Sequence, residues 1–159
     1  MEQIEQGIQL ASAKPIIEFR GVSKTYQTGT HALEDVNIKI NSGEFVFVVG
    51  SSGAGKSTFM KLIMREEKAS TGKIVVNGFN LTRMKRKTVP ILRRTMGIVF
   101  QDYQLLDDRN AFYNLYDVMK ATGWKNESDI RRRIDEVLKL VKLDNKAYKM
   151  PCDDRKRRY

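Results

Sequence analysis

A glycine-rich loop between an apolar run and a stretch of helical spacing constrains the fold of this chain more than any other feature. The apolar run, residues 45–49, has the composition of a buried strand, and the loop, residues 50–58, reads Gly-Ser-Ser-Gly-Ala-Gly-Lys-Ser-Thr. Glycines allow successive backbone N–H groups to approach phosphate oxygens, and a following helix adds its positive dipole end. The order strand, loop, helix is what a phosphate-binding P-loop requires. A glycine-rich turn that binds nothing is the alternative.

The loop predicts a nucleoside triphosphate as ligand and assigns a role to each residue. Its backbone would cradle the phosphates, Lys56 would reach the β- and γ-phosphates, and the Ser57 hydroxyl would ligate Mg²⁺. A single histidine, His31, argues against a multi-histidine metal site. The predicted phosphate-binding residues are Gly50, Ser51, Ser52, Gly53, Ala54, Gly55, Lys56, Ser57 and Thr58.

Composition and the N-terminal residues exclude several other classes of protein. The 159 residues suffice for one domain with a core, and 41% of them are hydrophobic. No apolar stretch approaches the about 20 residues needed to cross a bilayer. The start of the chain lacks the pattern of a secretory signal, and the lone Cys152 has no intrachain disulfide partner. We therefore expect a cytoplasmic globular protein.

A formal net charge of +10 raises the hypothesis of nucleic-acid binding. The basic clusters, however, are spread along the chain and mostly lack interleaved aromatic residues. A basic face near anionic lipid head groups, or solvated helix faces, explains the charge as well, so nucleic acid is the less favoured partner. The clusters are residues 83–87, 93–94, 131–133 and 155–158.

Apolar spacing predicts an α/β chain with strands before and after the loop and helices toward the C-terminal end. Asn77-Gly78 is a strong hairpin signal, and Ser128 is the predicted cap of the last helix. The predicted strands are 16–22, 32–40, 45–49, 73–76 and 97–100. The predicted helices are 56–65, 89–94, 110–122 and 128–143.

Two residues outside the loop carry a resemblance to the ATP-binding subunits of ABC transporters. Tyr26 sits upstream where that family places the aromatic residue that stacks on adenine. Gln101 follows the predicted strand 97–100, where the family has a glutamine that meets magnesium and the attacking water. The resemblance implies ATP and Mg²⁺ as cofactors, Lys56 and Gln101 as catalytic residues, and Ser57 and Gln101 as metal ligands. An ordinary strand-end aromatic and a strand-capping glutamine are the alternatives.

The same resemblance implies a fold and a domain organisation. The fold is α/β, a P-loop NTPase of the ABC ATPase type with an antiparallel β subdomain, a partial core sheet and a helical subdomain, and with its C-terminal half missing. We expect a loose leader over residues 1–14 and an ATP-binding core over 15–109. A helical subdomain over 110–151 and a basic tail over 152–159 follow.

Within the family, residues 16–151 are similar to the ATP-binding subunits that act in bacterial cell division, most specifically over residues 100–109. This similarity implies an energy-coupling ATPase with an FtsX-like integral membrane partner, a homodimer in the full-length relatives, and a peripheral position on the inner face of the membrane. The ATPase of a lipoprotein-release or macrolide-export transporter is one alternative. A non-enzymatic basic module that binds nucleic acid, or an inactive remnant, is another.

After Pro151 the sequence departs from the family pattern. Family members continue into a Leu-Ser-Gly-Gly signature, a Walker B strand and a switch histidine, whereas residues 152–159 are polar and highly charged. We expect a truncation or a reading-frame change here, with a naturally short form as the alternative. Because hydrolysis needs a group that orients or deprotonates water, we expect ATP binding with deficient hydrolysis. We also expect an unpaired apolar sheet edge that is prone to aggregation.

Overall fold

The computed structural model describes residues 14–101 and 103–151, in two compact units that divide after Gly97. The predicted leader, apart from Lys14, and the predicted tail over 152–159 lie outside the described residues. The predicted boundary between residues 109 and 110 stays a prediction. None of the helices in the described part of the chain is long and apolar enough to cross a membrane.

The first unit is built on a four-stranded antiparallel sheet in the order β2-β1-β3-β4. Phe19 in β1 lies opposite Ile38 in β2 and Ile74 in β3, so the long strand β1 is paired along both edges. Asn77 and Gly78 have φ values of 47° and 80°, and two positive φ values are what a tight hairpin turn requires. The predicted hairpin is confirmed. The strands are β1 (Ile17–Thr25), β2 (His31–Ile40), β3 (Thr71–Val76) and β4 (Phe79–Asn80).

Helix α1 (Lys56–Ile63) packs its apolar side onto this sheet. The rings of Phe59 in α1 and Phe19 in β1 have centroids 4.8 Å apart. A 3₁₀ turn (Arg86–Thr88) leads into the short helix α2 (Val89–Arg93), which adds Leu92 to the same core. The buried residues of this core are Phe19, Val22, Phe59, Leu62, Ile63, Ile74, Val76, Leu81 and Leu92.

Two predicted strands of the core sheet, 45–49 and 97–100, are not formed. Phe45 and Val49 are each 85% exposed and Phe47 is 77% exposed, so the predicted burial of the first segment is also wrong. An apolar run is suited to a buried strand, but a strand also needs a hydrogen-bonded neighbour. Among the described residues no segment pairs with either run. The sheet in the structure is therefore the antiparallel β subdomain.

The second unit contains helix α3 (Ala111–Ala121), helix α4 (Glu127–Leu140) and a 3₁₀ turn (Asp144–Lys146). Both helices begin at an asparagine whose side chain accepts a hydrogen bond from a backbone N–H, Asn110 for α3 and Asn126 for α4. Ser128 was the wrong cap, because α4 already includes Glu127 and its cap is Asn126. The Ser128 backbone N–H and hydroxyl both donate to Asn126 Oδ1, at 2.9 and 2.7 Å.

The core of the second unit is small and apolar. Ile130, Ile134 and Leu138 lie at helical spacing on α4 and are buried. The side chains of α3 that pack against them include Phe112, Leu115 and Tyr116. These contacts give Phe112, Leu115 and Tyr116 a role in the core of the second unit.

Candidate nucleotide-binding site

The P-loop (residues 50–58) binds the ammonium group of its own lysine through two backbone carbonyls. Lys56 Nζ donates hydrogen bonds to the carbonyl oxygens of Gly50 and Ser51, both at 2.7 Å. Gly53 and Gly55 have φ values of 82° and 85°, in the region that glycine adopts without a steric penalty. The glycines therefore set the curvature of the loop, and the curvature directs its carbonyls to the lysine.

The start of α1 carries positive charge that no side chain neutralises within the helix. Its N-cap, Gly55, has no side chain to accept a hydrogen bond, and the first turn contains no acidic residue. Lys56, the first helical residue, adds a full charge to the positive end of the helix dipole. This arrangement is unfavourable without an anion and favourable with one. The residues present therefore fit the phosphate chain of a nucleotide.

Gly55 also holds the P-loop against the sheet. A Cβ atom at this position would lie 2.3 Å from the Ala32 carbonyl oxygen and 2.8 Å from Leu33 Cδ2, both in β2. Contacts this short do not occur with real side chains, so the close approach of loop and strand requires glycine. The sequence motif explained this residue by phosphate binding, and the structure adds packing on β2 as a second reason.

Tyr26, the residue that follows β1, lies beside the helix that follows the loop. Its hydroxyl oxygen is 3.1 Å from Thr58 Oγ1, and Thr58 is buried. The structure therefore brings the predicted adenine-stacking residue together with a predicted residue of the P-loop. The stacking role itself stays a prediction.

The sequence analysis missed Lys24, which contacts Tyr26, and Glu67, which pairs with Lys24. Lys24 Nζ lies over the Tyr26 ring, 4.8 Å from its centroid, and 2.8 Å from Glu67 Oε2. Lys24 precedes Tyr26 by two residues, and this closeness in the chain is the signal that could have found it. Glu67 lies 43 residues from Lys24 in the chain and had no such signal.

An apolar cavity of about 310 Å³ lies next to the P-loop. Its walls come from β2, from α1 and from the unpaired residues 46–49, and Lys56 is the charged residue among them. Apolar walls do not stabilise phosphate charge, so the cavity is not where the phosphates would bind. It marks the space between the sheet and the segment that was predicted to be a buried strand.

The predicted metal ligands occupy different units. Ser57 is exposed at the start of α1, which leaves its hydroxyl available to an ion carried by a nucleotide. Gln101 is exposed in a turn of the second unit. The roles of Gln101 in magnesium binding and catalysis therefore stay predictions.

Comparison with known proteins decides the family. The family model described as ABC transporter matches residues 33–157, more than half of the chain. The chain belongs to the ABC transporter family. The predicted resemblance and the predicted fold class, an α/β P-loop NTPase of the ABC ATPase type, are thereby confirmed.

Individual ABC proteins support this assignment. The chain is 47% identical to the cell division ATP-binding protein FtsE of Streptococcus pneumoniae serotype 2 (strain D39 / NCTC 7466) and 45% identical to that of Bacillus subtilis (strain 168), over 136 residues in each case. Each match covers 86% of this chain and 59% of the relative, so the chain spans about three fifths of the length of these relatives.

A solved structure of an ABC ATPase shows the same architecture. It is a dimeric post-hydrolysis state of the ATP-binding cassette MJ0796 bound to ADP and Pi. The similarity has a TM-score of 0.74 at 30% identity and covers 85% of this chain and 61% of the cassette.

Proposed function

We propose that this chain is the ATP-binding part of a cell-division ABC ATPase that couples ATP binding and hydrolysis to an FtsX-like integral membrane subunit. The closed P-loop around Lys56, at the uncapped start of α1, is the observation that carries the ATP-binding part. The similarity to FtsE proteins supports the role in cell division. In this proposal the protein lies peripherally on the cytoplasmic face of the membrane, and the full-length protein forms a homodimer.

When the P-loop binds the phosphates, the Lys56 ammonium would exchange its hydrogen bonds to loop carbonyl oxygens for hydrogen bonds to phosphate oxygens. In the structure the Lys56 ammonium donates to two neutral carbonyl oxygens, those of Gly50 and Ser51. Phosphate oxygens carry full charge, and charge-assisted hydrogen bonds are roughly twice as strong as neutral ones. Lys56 would therefore turn from the loop carbonyls to the β- and γ-phosphates, while backbone N–H groups at the start of α1 hold the same anion.

Magnesium and the base of the nucleotide would use the remaining site residues. The Ser57 hydroxyl and the Gln101 amide oxygen would hold Mg²⁺, and Gln101 would also orient the attacking water. A magnesium ion bound with ATP neutralises charge that develops on the transferred phosphoryl group. Tyr26 would stack on adenine, with its hydroxyl held by Thr58.

The polypeptide of 159 residues, purified as such, would bind ATP without hydrolysing it. Hydrolysis requires a group that orients or deprotonates water, and in this family that group is the glutamate of the Walker B strand. The 159 residues contain neither that strand nor the Leu-Ser-Gly-Gly signature. We expect turnover only when those parts are supplied.

Titration with a fluorescent ATP analogue in the presence of Mg²⁺ tests the binding proposal. We expect saturation with the wild-type chain and an affinity at least about 100-fold lower for Lys56→Ala, which loses charge-assisted bonds to phosphate. Lys61→Ala, an exposed lysine of the same helix, is the matched control and should bind normally. Equal affinities for the wild type and Lys56→Ala would contradict the P-loop assignment.

Phosphate release and co-purification test the remaining parts. A malachite-green assay should detect no phosphate from ATP with the 159-residue chain, and turnover that disappears in Lys56→Ala would contradict the proposed deficiency.

In a pull-down, the FtsX-like membrane subunit should retain the chain and an exporter permease should not. The opposite preference would favour the lipoprotein-release or macrolide-export type.

A further inference from the structure

Lys24 is a charged residue that β1 buries beside the predicted adenine platform. The residue is 8% exposed, its Nζ lies 2.8 Å from Glu67 Oε2, and the same Nζ lies over the Tyr26 ring. Burying an ammonium costs free energy unless an opposite charge and other electron-rich groups surround it. The carboxylate of Glu67 and the face of the Tyr26 ring both meet this need. Lys24 is therefore held in place and is not a solvated surface lysine.

Backbone hydrogen bonds connect the segment that carries Glu67 to α1 and to β1. The Glu67 backbone N–H donates to the Lys61 carbonyl oxygen at 3.2 Å, which joins it to the end of α1. Three residues later, the Ser70 backbone N–H donates to the Ser23 carbonyl oxygen in β1 at 2.9 Å. Glu67 is thus a fixed anchor for the lysine.

We propose that Lys24 is a positioning residue for the base of the nucleotide. Its ammonium, held by Glu67, covers one face of the Tyr26 ring and leaves the opposite face for adenine. The inference rests on the proposed function, ATP binding at the P-loop. It adds Lys24 and Glu67 to the site. Both residues would favour a ligand that carries a base, such as ATP, over a polyphosphate without one.

Two contacts together fix the orientation of the Tyr26 ring. The hydroxyl bond to Thr58, at 3.1 Å, limits movement of the ring's outer end, and the ammonium 4.8 Å from the centroid defines which face is occupied. A cation over one face attracts the π electrons of the ring and orders it before ligand binds. A pre-ordered ring loses less conformational freedom when a base stacks on it.

If Lys24 positions the base, removing its charge should weaken the binding of ligands that carry a base and should not weaken the binding of phosphates. A cation–π contact of this kind corresponds to about a 3- to 10-fold change in affinity when it is lost. Tripolyphosphate has the charged chain of ATP but no base, so its binding would use the P-loop alone. The ratio of the two dissociation constants separates positioning of the base from general damage to the fold.

The experiment is isothermal titration of the full chain with ATP and, separately, with tripolyphosphate, both with Mg²⁺. We expect Lys24→Gln and Glu67→Gln to weaken ATP binding about 3- to 10-fold and to leave tripolyphosphate binding unchanged. Lys24→Arg keeps a cation over the ring and should restore ATP binding. Lys68→Gln removes the same charge from an exposed position next to Glu67 and should have no effect.

The results that overturn the inference differ from those that overturn the proposed function. Equal losses for ATP and tripolyphosphate in Lys24→Gln show a structural role only, and unchanged ATP binding shows no role. If circular dichroism shows that Lys24→Gln does not fold, the ratio measured for Glu67→Gln decides. A wild-type chain that binds tripolyphosphate as tightly as ATP leaves the P-loop assignment intact and overturns the role of Lys24. A wild-type chain that binds neither ligand overturns the proposed function as well.

Discussion

The hydroxyl groups of Tyr26 and Thr58 lie 3.1 Å apart and join the end of β1 to the helix of the P-loop. Thr58 is buried, so its hydroxyl has little access to water as an alternative partner. A residue expected to contact the base of a nucleotide is thereby connected to the element expected to hold its phosphates. A displacement of α1 would therefore move Tyr26, and a displacement of Tyr26 would move α1.

Removing the hydrogen bond between the Tyr26 and Thr58 hydroxyl groups should destabilise α1. Thr58→Val keeps the shape of the side chain but leaves the Tyr26 hydroxyl without this partner, at a cost of about 0.5–1.5 kcal/mol. Thr58→Ser keeps the hydroxyl and serves as the control. Hydrogen exchange of the α1 amides measures the effect, and we expect faster exchange in Thr58→Val than in Thr58→Ser. Identical rates in both variants would show that the bond does not stabilise the helix.

Alanine substitution at two glycines of the P-loop should separate backbone strain from packing. Gly53 and Gly55 have nearly the same φ, 82° and 85°, so alanine should cost about 1–2 kcal/mol at either position. At Gly55 the new Cβ also meets the Ala32 carbonyl oxygen, whereas at Gly53 it meets nothing within 4 Å. We expect Gly55→Ala to cost a further 1–3 kcal/mol, roughly the cost of overpacking.

Protection of the α1 amides against hydrogen exchange is the measurement for this pair as well. Gly55→Ala should reduce protection clearly more than Gly53→Ala does. If the two variants behave alike, the contact between the P-loop and β2 does not limit the position of the loop.

The exposed residues 45–49 should promote self-association of the chain. Phe45 is 85% exposed, and its ring lies in an edge-to-face arrangement with that of Phe47, which is 77% exposed. Exposed apolar segments of this composition associate with one another. Phe45→Lys should lower the weight-average mass in sedimentation velocity at high protein concentration. Ile91→Lys, which places the same charge on an exposed residue of α2, should change it less, and an equal effect would point to net charge as the cause.

The second unit should lose stability in acid through one carboxylate. Hydrogen bonds from Lys120 and from the Tyr116 hydroxyl hold the pKa of Glu127 below its usual range, with both donors 2.8 Å from its oxygens. A carboxyl with a lowered pKa in the folded state stabilises the fold above its unfolded pKa. That stabilisation is lost as the pH falls below the usual glutamate pKa of about 4.3 and then through the lower folded pKa of Glu127.

The single tryptophan allows this unit to be followed alone. Trp124 lies between α3 and α4, and its backbone N–H donates to the Met119 carbonyl oxygen at 3.1 Å. In urea titrations followed by tryptophan fluorescence, Glu127→Gln should lower the midpoint at pH 7 and show a weaker dependence on pH than the wild type. Asp135→Asn, an exposed carboxylate of α4, is the control and should keep the wild-type pH dependence. A Glu127→Gln variant with an unchanged pH profile would contradict the prediction.

Local signals predicted the elements whose structure depends on neighbouring residues. The hairpin at Asn77-Gly78 forms because only two residues must adopt positive φ, and α1 forms where the motif and its apolar spacing place it. The cap of α4 was misplaced by two positions, since Asn126 and Ser128 have equally suitable side chains and only the backbone path decides between them.

Pairing between distant segments could not be predicted in the same way. Residues 45–49 have the composition of a buried strand, but whether a strand forms depends on a neighbour that the run itself does not specify. The ion pair of Lys24 with Glu67 spans 43 residues, and no periodicity links its members. Such contacts arise only when the sheet brings the two segments together.

The P-loop motif by itself predicted the phosphate-binding residues and the kind of ligand to test, because glycine backbone freedom and a lysine at a helix start are local properties. Only the tertiary structure decided what surrounds that motif. It seats Gly55 on β2, joins Tyr26 to Thr58, and places the ammonium of Lys24 over the Tyr26 ring. The reason is physical: these contacts depend on the register of β1 and β2 and on the packing of α1 across them, which no local pattern encodes.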